Sequence, residues 1–368
     1  MTWRDKLMLH LGPGVLGGVT LGNWVRLLRE NHFAIAPSCW LRALGICYHS
    51  CHNSLMARYE NWHYGPKLKD VTVPPPLFLL GHWRSGTTHL HNLLTVDERF
   101  AFPNNYQTFF PATFLTTERV NARILDFLIP KRRPMDNIEW NMLSPQEDEF
   151  ALCASTFKSP CMGWVFPHLR DHYDKYLTFQ DVPQQEITQW QEALMRFLKK
   201  LTWKYGRPLV LKSPPHTCRI KLLLQIFPDA KFVHIHRNPF AVFPSSKRTF
   251  EICCELHRLQ NPRLEDFDEW ILRQYRQMYD VFFAERGLIP KANLHEVCYE
   301  ELELNPMGEV RGIYEALNLP DFERVEPALR RYVDSLAGYK KNEFPELPAA
   351  LRSQIATRWR PCFEEWGY

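Results

Sequence analysis

The chain has 368 residues, 45% hydrophobic and 14% aromatic, with 45 Lys or Arg against 41 Asp or Glu. That length and apolar content suffice for a large buried core and fit one α/β domain with an appendage, which excludes a disordered or low-complexity chain. The formal net charge of +4 is small, and no nucleic-acid partner is expected.

The whole of that excess lies at the front. Residues 1–70 hold eight Lys or Arg and four acids, together with Trp3, Trp24, Trp40 and Trp62 among leucine-rich stretches. This pattern predicts helices that either pack over the following domain and its ligand cleft or lie as amphipathic elements on a membrane surface. The run Leu7 to Leu21 is broken by His10 and Gly12-Pro13-Gly14 and falls short of the ~20 apolar residues a spanning helix needs. It also lacks the uninterrupted apolar stretch of a signal peptide. Cys47, His49, Cys51 and His52 invite a metal reading, but on one helix Cys47 and Cys51 share a face while His49 points elsewhere, so no metal is expected. The ten cysteines show no disulfide spacing and read as reduced thiols of a cytoplasmic protein.

Leu77 to Leu80 is a short continuous apolar run, the mark of a strand buried on both faces, and helical spacing of Leu90, Leu93 and Leu94 follows from Thr87 onward. The turn between them is Arg84-Ser85-Gly86-Thr87-Thr88. Gly86 lets the backbone approach an oxyanion, the first amides of the helix point there, the threonines add hydroxyls, and Arg84 adds a fixed charge. A Walker loop would carry Gly-Lys where this turn carries Gly86-Thr87, which weakens an ATP reading. Irregular, proline-punctuated chain is expected from there through Pro134. Pro145-Gln-Glu-Asp-Glu149 then reads as the acidic first turn of a helix that continues into Phe150-Ala-Leu-Cys153.

A helix near Gln184 to Tyr205 leads into the strand of Arg207-Pro-Leu-Val-Leu-Lys212, which delivers Lys212 to its carboxyl end, where open α/β sheets bind ligands. Phe232 to Ile235 is another buried strand; Arg237 sits at its end, and Asn238-Pro239 opens a helix with proline at its first position. Glu265 to Arg286 reads as a helix whose Trp270, Ile271, Tyr275, Met278 and Phe282 are core.

The loop Arg84 to Thr88 resembles the 5′-phosphosulfate loop of sulfotransferases, in the arginine form of the bacterial and tyrosylprotein members. Arg237 with Ser245, eight positions on, resembles the family's 3′-phosphate element. The resemblance runs from about Pro74 to about Leu319. It implies a P-loop-like α/β three-layer sandwich with a central parallel sheet over residues 71–368, preceded by an N-terminal helical extension over 1–70. It further implies 3′-phosphoadenosine 5′-phosphosulfate as donor, held by Arg84, Ser85, Gly86, Thr87, Thr88, Arg237 and Ser245, with Tyr299 of Cys298-Tyr-Glu-Glu near the adenine and Lys341 and Asn342 of Lys340-Lys-Asn in a closing loop. Lys212 matches a family lysine and, with Arg84, would meet the charge that builds on the bridging oxygen of the leaving phosphate. No metal is implied.

A proton must leave the acceptor as it attacks sulfur. Family members use a histidine two residues after that lysine or a glutamate after the first loop's helix; here His216 stands four residues after Lys212, and Phe102 to Gln107 contains no carboxylate. Glu147 is the expected base, with Asp148 and His216 as alternates. The expected activity is sulfuryl transfer to a hydroxyl or amine of a hydrophobic, aromatic or lipid-like small molecule, in a cytoplasmic protein with peripheral membrane contact through residues 1–70. A P-loop kinase and a non-catalytic nucleotide-binding protein are the alternatives, and oligomeric state is not indicated.

Overall fold

The computed structural model describes residues 8–9, 11–136, 138–262, 266–338 and 341–368. They divide into two compact units, each drawn from three stretches of chain. One comprises Met1–Val73, Pro103–Gly206 and Thr249–Glu265, the other Pro74–Phe102, Arg207–Arg248 and Asp266–Tyr368.

The second unit carries the sheet. Its strands are β1 (Leu77–Leu80), β2 (Val210–Lys212), β3 (Lys231–His236) and β4 (Leu294–Cys298), all parallel, in the order β2-β1-β3-β4. The register sets Leu79 opposite both Lys212 and Val233, so the ends of β1 and β2 arrive together. Side-chain alternation sorts the strand residues into two layers. Leu77, Leu79, Val210, Val233, Ile235 and Val297 pack with Leu90, Leu93 and Leu94 of the Thr87–Leu94 helix and with the Pro306–Ala316 and Phe322–Ser335 helices. On the other face Phe78 stacks on Phe232, and His234 stacks on Phe282 of the Phe267–Glu285 helix with centroids 4.1 Å apart. Helices therefore cover both faces, the three layers the sequence implied. The expected Glu265–Arg286 helix is present as Phe267–Glu285 with the five named core residues buried.

The first unit is helical, built on Leu21–Glu30, Trp40–Lys69, Phe114–Leu128 and Gln184–Tyr205. Its packing is fixed by polar side chains as well as apolar ones. Glu60 and Lys200 meet at 2.6 Å with both buried, and Glu60 also accepts the Thr116 amide at 2.9 Å. Residues after the first loop depart from the irregular chain expected there. Asn104 and Gln107 close a capping box on Asn105–Phe109, and Phe114–Leu128 is a four-turn helix whose Phe114, Thr117, Glu118 and Ala122 face inward. Glu118 lies inside because Lys204 pairs with it and Asn104 and Gln107 donate to it, so a helix face that reads as polar in sequence is a buried one. Among the described residues no helix is long and apolar enough to cross a membrane.

Candidate active site

The turn after β1 is shaped by three residues in left-handed backbone: Gly81 at φ +142°, Arg84 at +73° and Gly86 at +99°. For Gly81 and Gly86 the conformation is easy, whereas for Arg84 it stores strain of about 1–3 kcal/mol that its surroundings must hold. They do so with side chains from other segments. The Gly81 amide donates to the Thr217 hydroxyl at 2.7 Å, the His82 amide to the Tyr279 hydroxyl at 3.3 Å, and Ser85 donates from both its amide and its hydroxyl to the His82 carbonyl. His82 is wholly buried, and burial pushes its imidazole down to about 4.

Residues far apart in sequence converge on this turn. Arg84 Nε donates to the Ser245 hydroxyl at 2.8 Å, which joins the loop to the Pro239–His257 helix. Arg237 donates to the Arg84 carbonyl at 3.2 Å and lies over the Tyr299 ring, 4.2 Å from its centroid. Gly86 is packed against the same ring: a Cβ there would stand 2.2 Å from Tyr299 Cδ2. The Tyr299 hydroxyl donates to Glu303, and Lys341 pairs with that carboxylate at 2.6 Å. Loop, Arg237, Ser245, Tyr299 and Lys341 thus form one chain of contacts. Ser85 and Thr87 are buried, Thr88 is half-buried at the start of the Thr87–Leu94 helix, and Asn342 is half-buried beside Lys341; Lys340 lies outside the described residues.

The remaining predicted residues are placed as follows. Lys212 ends β2 and is buried. His216 is fully buried in the short 3-10 helix Pro214–Cys218, its ring edge-on to Phe78 at 5.5 Å. Glu147 and Asp148 belong to the other unit, where Asp148 is the N-cap residue of the Glu149–Thr156 helix and is fully buried, while Glu147 is half-buried.

Three contributors carry no sequence signal of their own. Thr217 and Tyr279 act through one hydroxyl each on backbone of the loop. Glu300, the neighbour of Tyr299, accepts the Asn238 amide at 3.1 Å and the Tyr368 hydroxyl at 2.9 Å, so it anchors the start of the helix that carries Ser245. Burial pushes the Glu300 carboxyl up, but the Asn238 amide, its own amide, Cys298 and Tyr368 outweigh this and hold it below the usual range. The resemblance at Cys298-Tyr-Glu-Glu pointed to this segment but not to the carboxylate's role.

A model of the sulfotransferase family matches residues 75–324. The chain belongs to the sulfotransferase family. Among curated proteins it is similar to the omega-hydroxy-beta-dihydromenaquinone-9 sulfotransferases Stf3 of Mycobacterium bovis and Mycobacterium tuberculosis. Each is 35% identical over 352 residues, covering 95% of this chain and 90% of the relative. Its fold is that of sulfotransferase STF9 from Mycobacterium avium (TM-score 0.67, 23% identity, 86% of this chain and 82% of that one) and of sulfotransferase STF1 from Mycobacterium tuberculosis H37Rv (0.64, 18%, 92% and 91%). The sulfotransferase is therefore an enzyme of sulfuryl transfer, which sets aside both the kinase and the non-catalytic alternatives.

Sulfotransferases draw on 3′-phosphoadenosine 5′-phosphosulfate, and two features of this site suit its charge. Arg237 Nε is buried without a hydrogen-bond partner among the described residues, a donor that an anionic oxygen would satisfy. The turn also opens the Thr87–Leu94 helix, whose first amides favour an anionic group.

Proposed function

We propose that this sulfotransferase binds 3′-phosphoadenosine 5′-phosphosulfate at the Arg84–Thr88 turn and transfers its sulfuryl group in line to the hydroxyl of a hydrophobic, lipid-like acceptor. The contact of Arg84 with Ser245, alongside Arg237 over Tyr299, is the observation that carries this reading, since the turn proposed for the 5′ end touches the residues proposed for the 3′-phosphate. Arg237 and Ser245 would hold the 3′-phosphate, a guanidinium offering two parallel charge-assisted bonds and the hydroxyl a third. Ser85, Gly86, Thr87 and Thr88 would cradle the 5′ end, and Tyr299 would face the adenine, with Lys341 and Asn342 closing beside it.

In the reaction the acceptor oxygen forms a bond to sulfur as the bond from sulfur to the bridging phosphate oxygen breaks. Lys212 and Arg84 meet the negative charge left on that phosphate. The acceptor proton passes to Glu147, for which Asp148 and His216 are the alternates; the half-exposed carboxylate suits a group that meets a substrate better than the fully buried Asp148 and His216 do. The acceptor class rests on the similarity to sulfotransferases named for a hydroxylated menaquinone, and on the half-buried Phe109 and Phe110 and the aromatic residues of the first 70 positions. Residues 1–70 are proposed as the part that meets the membrane, and a cytoplasmic location agrees with ten cysteines that are all free thiols.

Calorimetric titration of adenosine 3′,5′-bisphosphate against ADP, without magnesium, tests the donor site. Micromolar binding of the bisphosphate alone, lost in Arg237→Ala, supports it; equal or tighter ADP binding overturns it. Assay of lipophilic alcohols beside a polyanionic glycan then tests the acceptor class, and sulfation of the glycan alone would reject it.

A further inference from the structure

The Trp40–Lys69 helix buries polar side chains beside Ala43, Ile46 and Ala57 and exposes large apolar ones. In a water-facing helix the polar residues point outward and the apolar ones inward. Here Arg42, Ser50, Asn53 and Glu60 point inward, each hydrogen-bonded within its own unit. Arg42 donates to the Arg258 carbonyl at 2.7 Å, Asn53 to the Gly17 and Val19 carbonyls, Ser50 to the Cys47 carbonyl, and Glu60 pairs with Lys200. The outer face carries Leu41, Leu44, Tyr48, Leu55, Tyr59 and Trp62, an apolar stripe at helical spacing along more than five turns. Tyr48 is 75% exposed, Trp62 74% and Leu41 70%. The Phe114–Leu128 helix, joined to it through Glu60 and Thr116, exposes Val120, Ile124 and Phe127 in the same way.

The charges decide what such a surface meets. On the long helix every exposed charge is basic, Arg58, Lys67 and Lys69, while its one acid, Glu60, is buried. On the shorter helix Arg119 and Arg123 are exposed, Glu118 is buried against Lys204, and Asp126 is turned to the Met142 amide. A second copy of the chain would bring the same arginines against each other, whereas an anionic bilayer offers phosphates to the arginines and acyl chains to the leucines. Tyr and Trp suit the headgroup level between the two.

We propose that the outer face of the Trp40–Lys69 helix, extended by the exposed stripe of Phe114–Leu128, is a docking surface for an anionic lipid bilayer. This deepens the membrane contact proposed for residues 1–70 by naming its face and the charge of its partner. It is independent of the donor site.

Flotation of the full chain with phosphatidylcholine vesicles, with and without phosphatidylglycerol, tests it. The expected result is binding to the phosphatidylglycerol vesicles that weakens as salt rises, falls at least about tenfold in Leu44→Glu/Trp62→Glu, and falls in part in Arg58→Gln/Arg119→Gln/Arg123→Gln. Thermal unfolding of each variant at the parent temperature shows that the fold is kept. No binding to the anionic vesicles, or undiminished binding by the Leu44→Glu/Trp62→Glu variant, overturns the proposal. So does sedimentation of the parent as a dimer that this variant converts to monomer, because the face is then a self-association surface. Failure of bisphosphate binding would bear on the donor site and leave this result standing.

Discussion

Arg84 and Ser245, 161 positions apart, meet through a 2.8 Å hydrogen bond from the guanidinium Nε to the hydroxyl. The contact ties a strained loop residue to the helix that begins after β3, and it makes the two segments proposed to bind the donor's anionic groups mutually dependent. Ser245→Ala removes one hydrogen bond to a charged group, about 1.5–3 kcal/mol. Affinity for adenosine 3′,5′-bisphosphate should fall roughly tenfold to 100-fold by calorimetry, with a modest change in melting temperature. Unchanged affinity would remove Ser245 from the site.

Arg237→Lys is the informative companion. Lysine keeps the charge but loses the planar stack over Tyr299 and the paired donors. Binding of the bisphosphate should weaken by about tenfold or more, and Tyr299→Leu should weaken it less. Equal affinity in Arg237→Lys would mean that charge alone suffices.

Gly86→Ala carries two penalties, a left-handed φ of +99° and a Cβ placed 2.2 Å from the Tyr299 ring. Destabilisation of at least about 1 kcal/mol is expected by urea titration, with loss of bisphosphate binding. Combining it with Tyr299→Ala should recover part of the stability, since only the clash is relieved. Full recovery would show that φ costs nothing here.

In the helical unit, Glu60→Ala leaves the buried Lys200 ammonium without its partner. Burial pushes Lys200 down while Glu60 pulls it back up, so the pair stands or falls together. A loss of about 3–5 kcal/mol is expected. Glu60→Gln/Lys200→Met should lose much less. Chemical denaturation of the set, read as a double-mutant cycle, checks this.

Acid stability follows from buried histidines. Burial pushes His82 to about 4 and His257 to about 3, and burial with His234 nearby pushes His236 to about 4, against 6.5 in the unfolded chain. Above pH 6.5 both states are neutral at these rings and they cost nothing. As pH falls from 6.5 toward 4 the unfolded chain takes up the protons first, so stability drops across that window. Denaturation midpoints at pH 7.5, 5.5 and 4.5 should fall in that order, and His236→Gln should flatten the slope.

How much was legible differs by element. Buried strands announce themselves as apolar runs, so β1 and β3 could be read directly, and with them the turn of Arg84 to Thr88 and the place of Arg237 at a strand's end. The Phe114–Leu128 helix could not be read, because its inward Glu118 looks like a surface residue until Lys204 arrives to neutralise it. The same holds for the Trp40–Lys69 helix, whose polar side faces in and whose aromatic side faces out, a direction that depends on partners up to 216 positions away.

Local chemistry therefore determined the family, the strand-turn-helix of Arg84 to Thr88 and the arginine at the end of β3, since each is a short stretch whose residues act through their own backbone and charge. Tertiary structure alone decided that Arg84 meets Ser245, that Tyr299 fills the space over Gly86, and that Thr217, Tyr279 and Glu300 hold the loop and its neighbouring helix in place. Those are contacts between segments distant in sequence, and a single hydroxyl or carboxylate has no pattern of its own until the fold gives it a partner.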